Sequence, residues 1–108
     1  MSVSINTSEY IKTKKLTVDK NELFLRPMSS AEQLRIAAIG SEVDAEKAKG
    51  DKADTKLILD RAQEIMNIYF ELFTDPDNAR KSLGMLEFED LLNIYNQVMK
   101  EGEDGKPA

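Results

Sequence analysis

Cysteine, histidine and tryptophan are absent from this sequence of 108 residues. Without cysteine the chain has no disulfide, no thiolate metal site and no cysteine nucleophile. Without histidine it lacks the commonest general base near neutral pH and the commonest metal ligand. The composition therefore argues against an enzyme, and we expect no catalytic residue, no metal site and no cofactor.

Length and hydropathy narrow the class of protein further. A chain of 108 residues fits one domain with one modest core, and it leaves no room for a second, cofactor-binding domain. No apolar run approaches the roughly 20 residues of a transmembrane helix. Residues 1–10 have neither the basic start nor the apolar stretch of a signal peptide. We expect a cytoplasmic protein that does not bind membranes.

The charge is unevenly distributed along the chain. The formal net charge is −5, and residues 56–108 carry 6 basic and 11 acidic side chains. No segment forms a basic stripe, so binding of nucleic acid is not expected. The acidic C-terminal half favours a basic partner instead.

A β-hairpin is predicted near the N-terminus. Residues 1–9 are mostly small and polar and indicate a flexible arm. Residues 14–18 alternate polar and apolar side chains, 19–22 form a polar turn without glycine, and 23–26 form a second strand. Pro27 should end that strand. Because a lone hairpin is marginal in water, we expect it to pack against helices.

The first predicted helix begins at a capping box, formed by Ser29 with Glu32 or by Ser30 with Gln33. Gly40 should end or weaken this helix. Its predicted apolar face consists of Ala31, Leu34, Ala38 and Ile39.

Residues 40–55 are rich in Glu, Lys and Ala and contain one large apolar residue, Val43. This pattern fits either a mobile loop or a solvated helix. We favour a mobile segment, because its small apolar surface does not offset the entropy lost on ordering.

The remaining chain predicts further helices. The strongest begins at Asp54 or Thr55, and 11 of the 17 residues in 57–73 are apolar. Asp75 and Pro76 form a helix start, and that short helix should end at Gly84. The last helix covers about 86–100, and residues 101–108 indicate a frayed tail.

Apolar surface beyond the needs of a core is the main functional signal. Helical spacing assigns Phe73 to the core and places Phe70 at the edge of the same helix. Methionine and aromatic residues are common on protein-binding surfaces, although a small domain needs most of its apolar residues inside. The candidate partner-binding residues are Leu59, Met66, Phe70, Phe88, Tyr95 and Met99.

These signals predict a mainly α fold, with an N-terminal β-hairpin followed by three to four helices in a small bundle. The single domain would cover residues 10–100. The sequence is also compatible with a homo-oligomer.

The order of elements resembles that of a small tail assembly chaperone of long-tailed bacteriophages. The resemblance covers about residues 10–100 as a pattern. The resemblance is carried by residues 14–18 (KKLTV), 23–26 (LFLR), 27–32 (PMSSAE) and 91–95 (LLNIY).

The resemblance implies a non-catalytic role. Such chaperones bind the tape measure protein, keep its long apolar helices soluble, help tail tube subunits polymerise around it, and are absent from the mature virion. Many have a longer product made by ribosomal frameshifting, and Gly105-Lys106 is compatible with a slippery run in the messenger. The alternative is a small regulatory or antitoxin-like adaptor that binds one folded protein. Genes for a tail tube protein before and a tape measure protein after this one would favour the chaperone, whereas a toxin gene alongside would favour the adaptor.

Overall fold

The structure is a computed structural model that describes residues 2–7 and 12–102, and the backbone alone of 104–107. These residues form a mainly helical fold with an N-terminal antiparallel hairpin followed by four α-helices, which confirms the predicted fold class. The elements are β1 (Lys12–Val18), β2 (Asn21–Leu25), α1 (Ser30–Lys47), a short 3₁₀ helix (Gly50–Lys52), α2 (Thr55–Glu71), α3 (Pro76–Leu83), α4 (Phe88–Glu101) and β3 (Asp104–Pro107).

The hairpin closes through a tighter turn than the sequence indicates. Val18 pairs with Asn21, so only Asp19 and Lys20 form the loop. Both have positive φ, 47° and 74°, as the two-residue turns that match strand twist require. Aspartate tolerates this left-handed conformation, whereas lysine adopts it at a cost in free energy.

The outer edge of β2 is covered by the chain that leads from α2 to α3. The Arg26 amide donates to the Leu72 carbonyl at 3.0 Å, and the Thr74 amide donates to the Phe24 carbonyl at 2.9 Å. These bonds satisfy backbone groups that an open sheet edge would expose.

Two compact units make up the chain. One, here the hairpin unit, consists of Met1–Pro27 and Glu71–Ala108, and the other, the helical unit, consists of Met28–Phe70. Within the hairpin unit, α3 contacts β2 and α4 contacts β1. Its buried apolar side chains are Leu23, Leu25, Leu72, Phe73, Ala79, Leu83, Leu91 and Val98.

The predicted capped starts of α1 and α3 are confirmed, whereas α4 begins at Phe88 and not at about residue 86. The Glu32 amide donates to Ser29 Oγ at 3.1 Å, and the Ser29 amide donates to the Glu32 carboxylate at 3.0 Å, so the capping box is complete. The Asn78 amide donates to Asp75 Oδ1 at 3.2 Å at the start of α3. Both caps depend on neighbours in sequence, which is why the sequence shows them.

The prediction that Gly40 ends the first helix is wrong. Helix α1 continues to Lys47, and the chain turns instead at Gly50, whose φ is +63°. A glycine inside a helix costs only about 1 kcal/mol relative to alanine, and the helix-forming Glu and Lys residues after Gly40 outweigh that cost. Residues 40–47 are therefore helical, and the predicted mobility of 40–55 stays a prediction.

The predicted apolar face of α1 is also wrong apart from Ile39. Leu34 is 72% exposed, and Ala31 and Ala38 are exposed as well. The buried side instead follows Ile39 and, seven residues later, Glu46. The half-buried Val43 lies on the same side of the helix, beyond Gly40. The buried side can therefore be recognised in the sequence only when the helix is assumed to continue through Gly40.

Two terminal predictions lie partly outside the described residues. Residues 2–7 of the predicted arm are exposed, whereas residues 1, 8 and 9 are not described. In the predicted tail, β3 pairs antiparallel with β1 and makes β1 the central strand of three. A strand at this position is not evident from the sequence, because a segment that contains Gly and Pro lacks a local strand signal.

Candidate partner-binding site

An open groove, here the β1–α4 groove, lies in the hairpin unit. Its volume is about 570 Å³, within the range of about 300–1,000 Å³ that binding pockets commonly have. It is lined by Leu16, Thr17, Val18, Asp19, Ser82, Leu83, Leu86, Ile94, Gln97, Val98, Glu101 and Gly102.

The apolar part of the groove depends on strand alternation and helix periodicity together. Leu16 and Val18 lie two residues apart on β1 and therefore share one face of the sheet. Ile94 and Val98 are four residues apart on α4 and share one side of the helix. Val98 is buried and Ile94 half-buried, so Ile94 is the more accessible of these two groove residues.

Exposed apolar side chains extend the groove outward. Met85 is 95% exposed and Leu86 is 37% exposed, and both belong to the connection between α3 and α4. A backbone hydrogen bond of 3.1 Å from the Leu86 amide to the Leu83 carbonyl holds this connection in place. Leu86 lines the groove, and Met85 gives a partner further apolar contact area next to it in the chain.

Polar side chains hold α3 against the hairpin beneath this surface. Asn21 Nδ2 donates to Asn78 Oδ1 at 3.0 Å and to Ser82 Oγ at 2.9 Å. Ser82 itself lines the groove. Asn21 therefore positions one wall of the groove without belonging to it.

Of the six residues predicted to bind a partner, three belong to the helical unit and three to the hairpin unit. Phe88, Tyr95 and Met99 lie on one side of α4, spaced seven and four residues apart, and all are half-buried. The buried residues Leu91 and Val98 separate this side from Ile94 and Gln97, which line the groove. None of the six predicted residues lines the β1–α4 groove.

The assignment of Phe70 to an exposed surface is wrong. Phe70 is 3% exposed, whereas Leu59 is 63% exposed and Met66 is half-buried. Leu59 and Phe70 lie on nearly the same side of α2, since eleven residues are close to three helical turns. A periodicity argument gives the side of a helix but not how exposure changes along its length, and this is why it failed for Phe70.

The groove was missed because its residues come from distant parts of the sequence. Leu86 and Val98 were placed only within the last helix, and Leu16 and Val18 only within a strand. One local signal was available: Met85 and Leu86 are two large apolar residues in a connection between Gly84 and Glu87. Apolar residues at a connection, outside any helical stripe, are candidates for exposed contact residues.

Ion pairs characterise the helical unit. Arg61 Nε lies 2.6 Å from Glu42 and Arg61 Nη1 lies 2.6 Å from Glu64, and Glu64 is also 3.6 Å from Arg35. The hydrogen bond to Glu42, with the charge of Glu64, raises the pKa of the Arg61 guanidinium above its ordinary value. These pairs join α1 to α2 along their exposed sides.

Glu46 lies near the end of α1 and contacts the connection between α1 and α2. Its carboxylate accepts from the Asp54 amide at 2.8 Å and lies 2.7 Å from Lys49 Nζ. The hydrogen bond from Lys49, followed by that from the Asp54 amide, lowers the pKa of Glu46 below its ordinary value. This carboxylate is 7% exposed and serves as a cap.

Within the described part of the chain, no group of three or more acidic side chains is arranged to hold a metal ion. Nor does any described helix combine the length and the apolar character required to cross a bilayer. No protein-family model matches the sequence, and neither a curated protein nor a solved structure matches it.

Proposed function

We propose that this protein is a non-catalytic chaperone of the kind that assembles the tails of long-tailed bacteriophages. It would act in the host cytoplasm, keep apolar helical segments of the tape measure protein soluble and support polymerisation of the tail tube protein. The observation that carries the proposal is the β1–α4 groove, which Leu86 lines, together with the exposed Met85 that precedes Leu86 in the chain.

The physical argument is that holding an unassembled apolar helix requires accessible apolar surface on a chain that itself stays folded. The hairpin unit combines a buried core with exposed residues at one connection. Methionine suits such a role, because its flexible side chain adapts to different apolar partners. The order of hairpin, capped helix and closing apolar helix supports the same proposal through the resemblance.

The proposal is tested by the solubility of a tape measure fragment from the same genome. Light scattering is followed while the fragment is diluted from denaturant with increasing amounts of this protein. We expect an equimolar amount to suppress scattering. Leu86→Ser should require about tenfold more protein, since truncation of a central apolar contact typically costs about 1–2 kcal/mol of binding.

Leu34→Ser is the matched control, because it removes the same side chain from an exposed site in the helical unit that is not among the candidate partner-binding residues. Met85→Ser serves as a second test variant whose folding is not in question, since Met85 is almost fully exposed. Thermal melts would establish that all variants are folded. Scattering that wild-type protein leaves unchanged at any ratio would overturn the proposal, and tight binding of one folded protein instead would favour the adaptor.

A further inference from the structure

The charges along the β1–α4 groove are of one sign. Its described lining contains two acidic residues, Asp19 and Glu101, and neither lysine nor arginine. Asp19 and Glu101 form no ion pair with another described residue, unlike the acidic residues of the helical unit. An apolar groove with two unpaired carboxylates favours a partner that brings positive charge.

The end of α4 strengthens this preference. Glu101 is the last residue of α4, where the helix dipole places a partial negative charge of about half an elementary charge. A carboxylate at this position adds to the negative potential, whereas a cation from a partner would relieve it. The helix dipole and the Glu101 carboxylate thus both favour a cation at the end of α4.

The exposed Met85, outside the groove and adjacent in the chain to the lining residue Leu86, favours a polypeptide partner. A small molecule held inside the groove would leave Met85 uncovered, because Met85 does not line the groove. A helical segment laid along the groove can cover its apolar lining together with Met85 and Leu86. Apolar side chains at helical spacing are how such grooves commonly select partners.

We infer that the β1–α4 groove binds a helical segment of a partner whose apolar side is flanked by lysine or arginine. The basic residues pair with Asp19 and Glu101 while the apolar side covers Leu86 and Ile94. This inference rests on the proposed function, to which it adds the charge that the bound segment must carry.

The test uses three synthetic peptides of about 18 residues, which are roughly 27 Å long as helices. They share one leucine–alanine apolar side and carry lysine, glutamine or glutamate at the flanking positions. Binding to the full chain is measured by fluorescence anisotropy. We expect the lysine peptide to bind most tightly, and its advantage to shrink as the ionic strength approaches about 1 M, where the screening length is about 3 Å.

A charge-matched pair of variants separates the groove from the overall negative charge. Asp19→Asn with Glu101→Gln should weaken the lysine peptide by about 2- to 30-fold, as expected for the loss of two exposed ion pairs. Asparagine is chosen at Asp19 because it tolerates the positive φ. The control, Asp44→Asn with Asp60→Asn, changes the net charge equally at exposed sites outside the groove and should leave binding unchanged.

The outcomes distinguish the inference from the proposed function. If all three peptides bind equally and Leu86→Ser weakens them all, the groove binds apolar helices and the charge inference is wrong. If both charge pairs weaken the lysine peptide equally, the preference reflects net charge alone, and the inference fails. If no peptide binds, and sedimentation shows a dimer that Leu86→Ser dissociates, the occupant is a second copy, and both proposals are overturned.

Discussion

The two compact units differ in what holds each of them together. The hairpin unit buries leucines from β2, from α3 and from α4. The helical unit buries Ile39, Ile65 and Phe70, and along its exposed sides it relies on ion pairs around Arg61. Apolar burial contributes about 25 cal/mol per Å², whereas an exposed ion pair contributes about 0–1 kcal/mol. The hairpin unit should therefore be the more stable part of the molecule.

This difference fits the position of the β1–α4 groove in the hairpin unit. A groove that must stay open for a partner needs a wall that does not collapse onto it, and the hairpin unit has the core to support one. The helical unit, with fewer buried apolar residues, is the region where local opening should cost the least free energy.

The largest expected effect comes from truncating a buried aromatic residue. Phe73→Ala should reduce the free energy of unfolding by about 3–5 kcal/mol, because Phe73 is buried and its loss leaves a cavity. Phe70→Ala should cost a similar amount, in contrast to the surface role that periodicity predicted. Thermal and urea melts measure both, with Leu34→Ala as the exposed control, for which we expect a change within about 0.5 kcal/mol.

If Phe70→Ala left the free energy of unfolding unchanged, the burial of Phe70 would not stabilise the fold, and a role of Phe70 in partner binding would again be favoured. If Leu34→Ala cost as much as Phe73→Ala, the helical unit would depend on contacts at Leu34, and the contrast between the two units would break.

The second effect concerns the polar link between the hairpin and α3. Asn21→Ala removes two hydrogen bonds and leaves Asn78 and Ser82 without them. We expect a loss of about 1–3 kcal/mol, since each bond contributes about 0.5–1.5 kcal/mol. Asn96→Ala, at an exposed position of α4, is the control. A loss no larger than that of the control would show that apolar burial alone holds α3 in place.

How far the sequence predicts this molecule depends on the range of the interactions. The capping box at Ser29 and the cap at Asp75 involve residues three apart, so the sequence shows them directly. Gly40 does not predict the end of α1, because the helix-forming residues after it outweigh the cost of one glycine. The groove could not be predicted, because the pairing of Leu16 and Val18 with residues of α4 is set by packing between elements distant in sequence.

A smaller and opposite effect is expected at the hairpin turn. Lysine at a φ of 74° is strained, and Lys20→Gly should raise the free energy of unfolding by about 1 kcal/mol. Ala37→Gly, at an exposed position inside α1, should instead lower it by about 0.5–1 kcal/mol. Urea melts of both variants measure the difference. A destabilising Lys20→Gly would indicate that the lysine side chain contributes more than its backbone strain costs.

The smallest effect concerns Glu46, the buried carboxylate at the connection between α1 and α2. Because its pKa is lowered in the folded chain, its contribution to stability is fully present above the ordinary glutamate pKa of about 4.3 and is lost as the pH falls through the lowered value. Glu46→Gln should therefore be less stable than wild type at neutral pH, and this difference should shrink once the pH falls below about 4.

Amide exchange locates that effect within the chain. In Glu46→Gln the Asp54 amide, which donates to Glu46 in the wild type, should exchange faster at neutral pH, while amides of β1 and β2 keep their protection. Glu42→Gln, which removes an exposed partner of Arg61, is the control and should leave the Asp54 amide unchanged. Equal protection of that amide in Glu46→Gln and wild type would mean that the connection between α1 and α2 stays ordered without the carboxylate. The predicted mobility of residues 40–55 would then be tested on the wild-type amides on either side of Gly50, which should exchange fast if that prediction is correct.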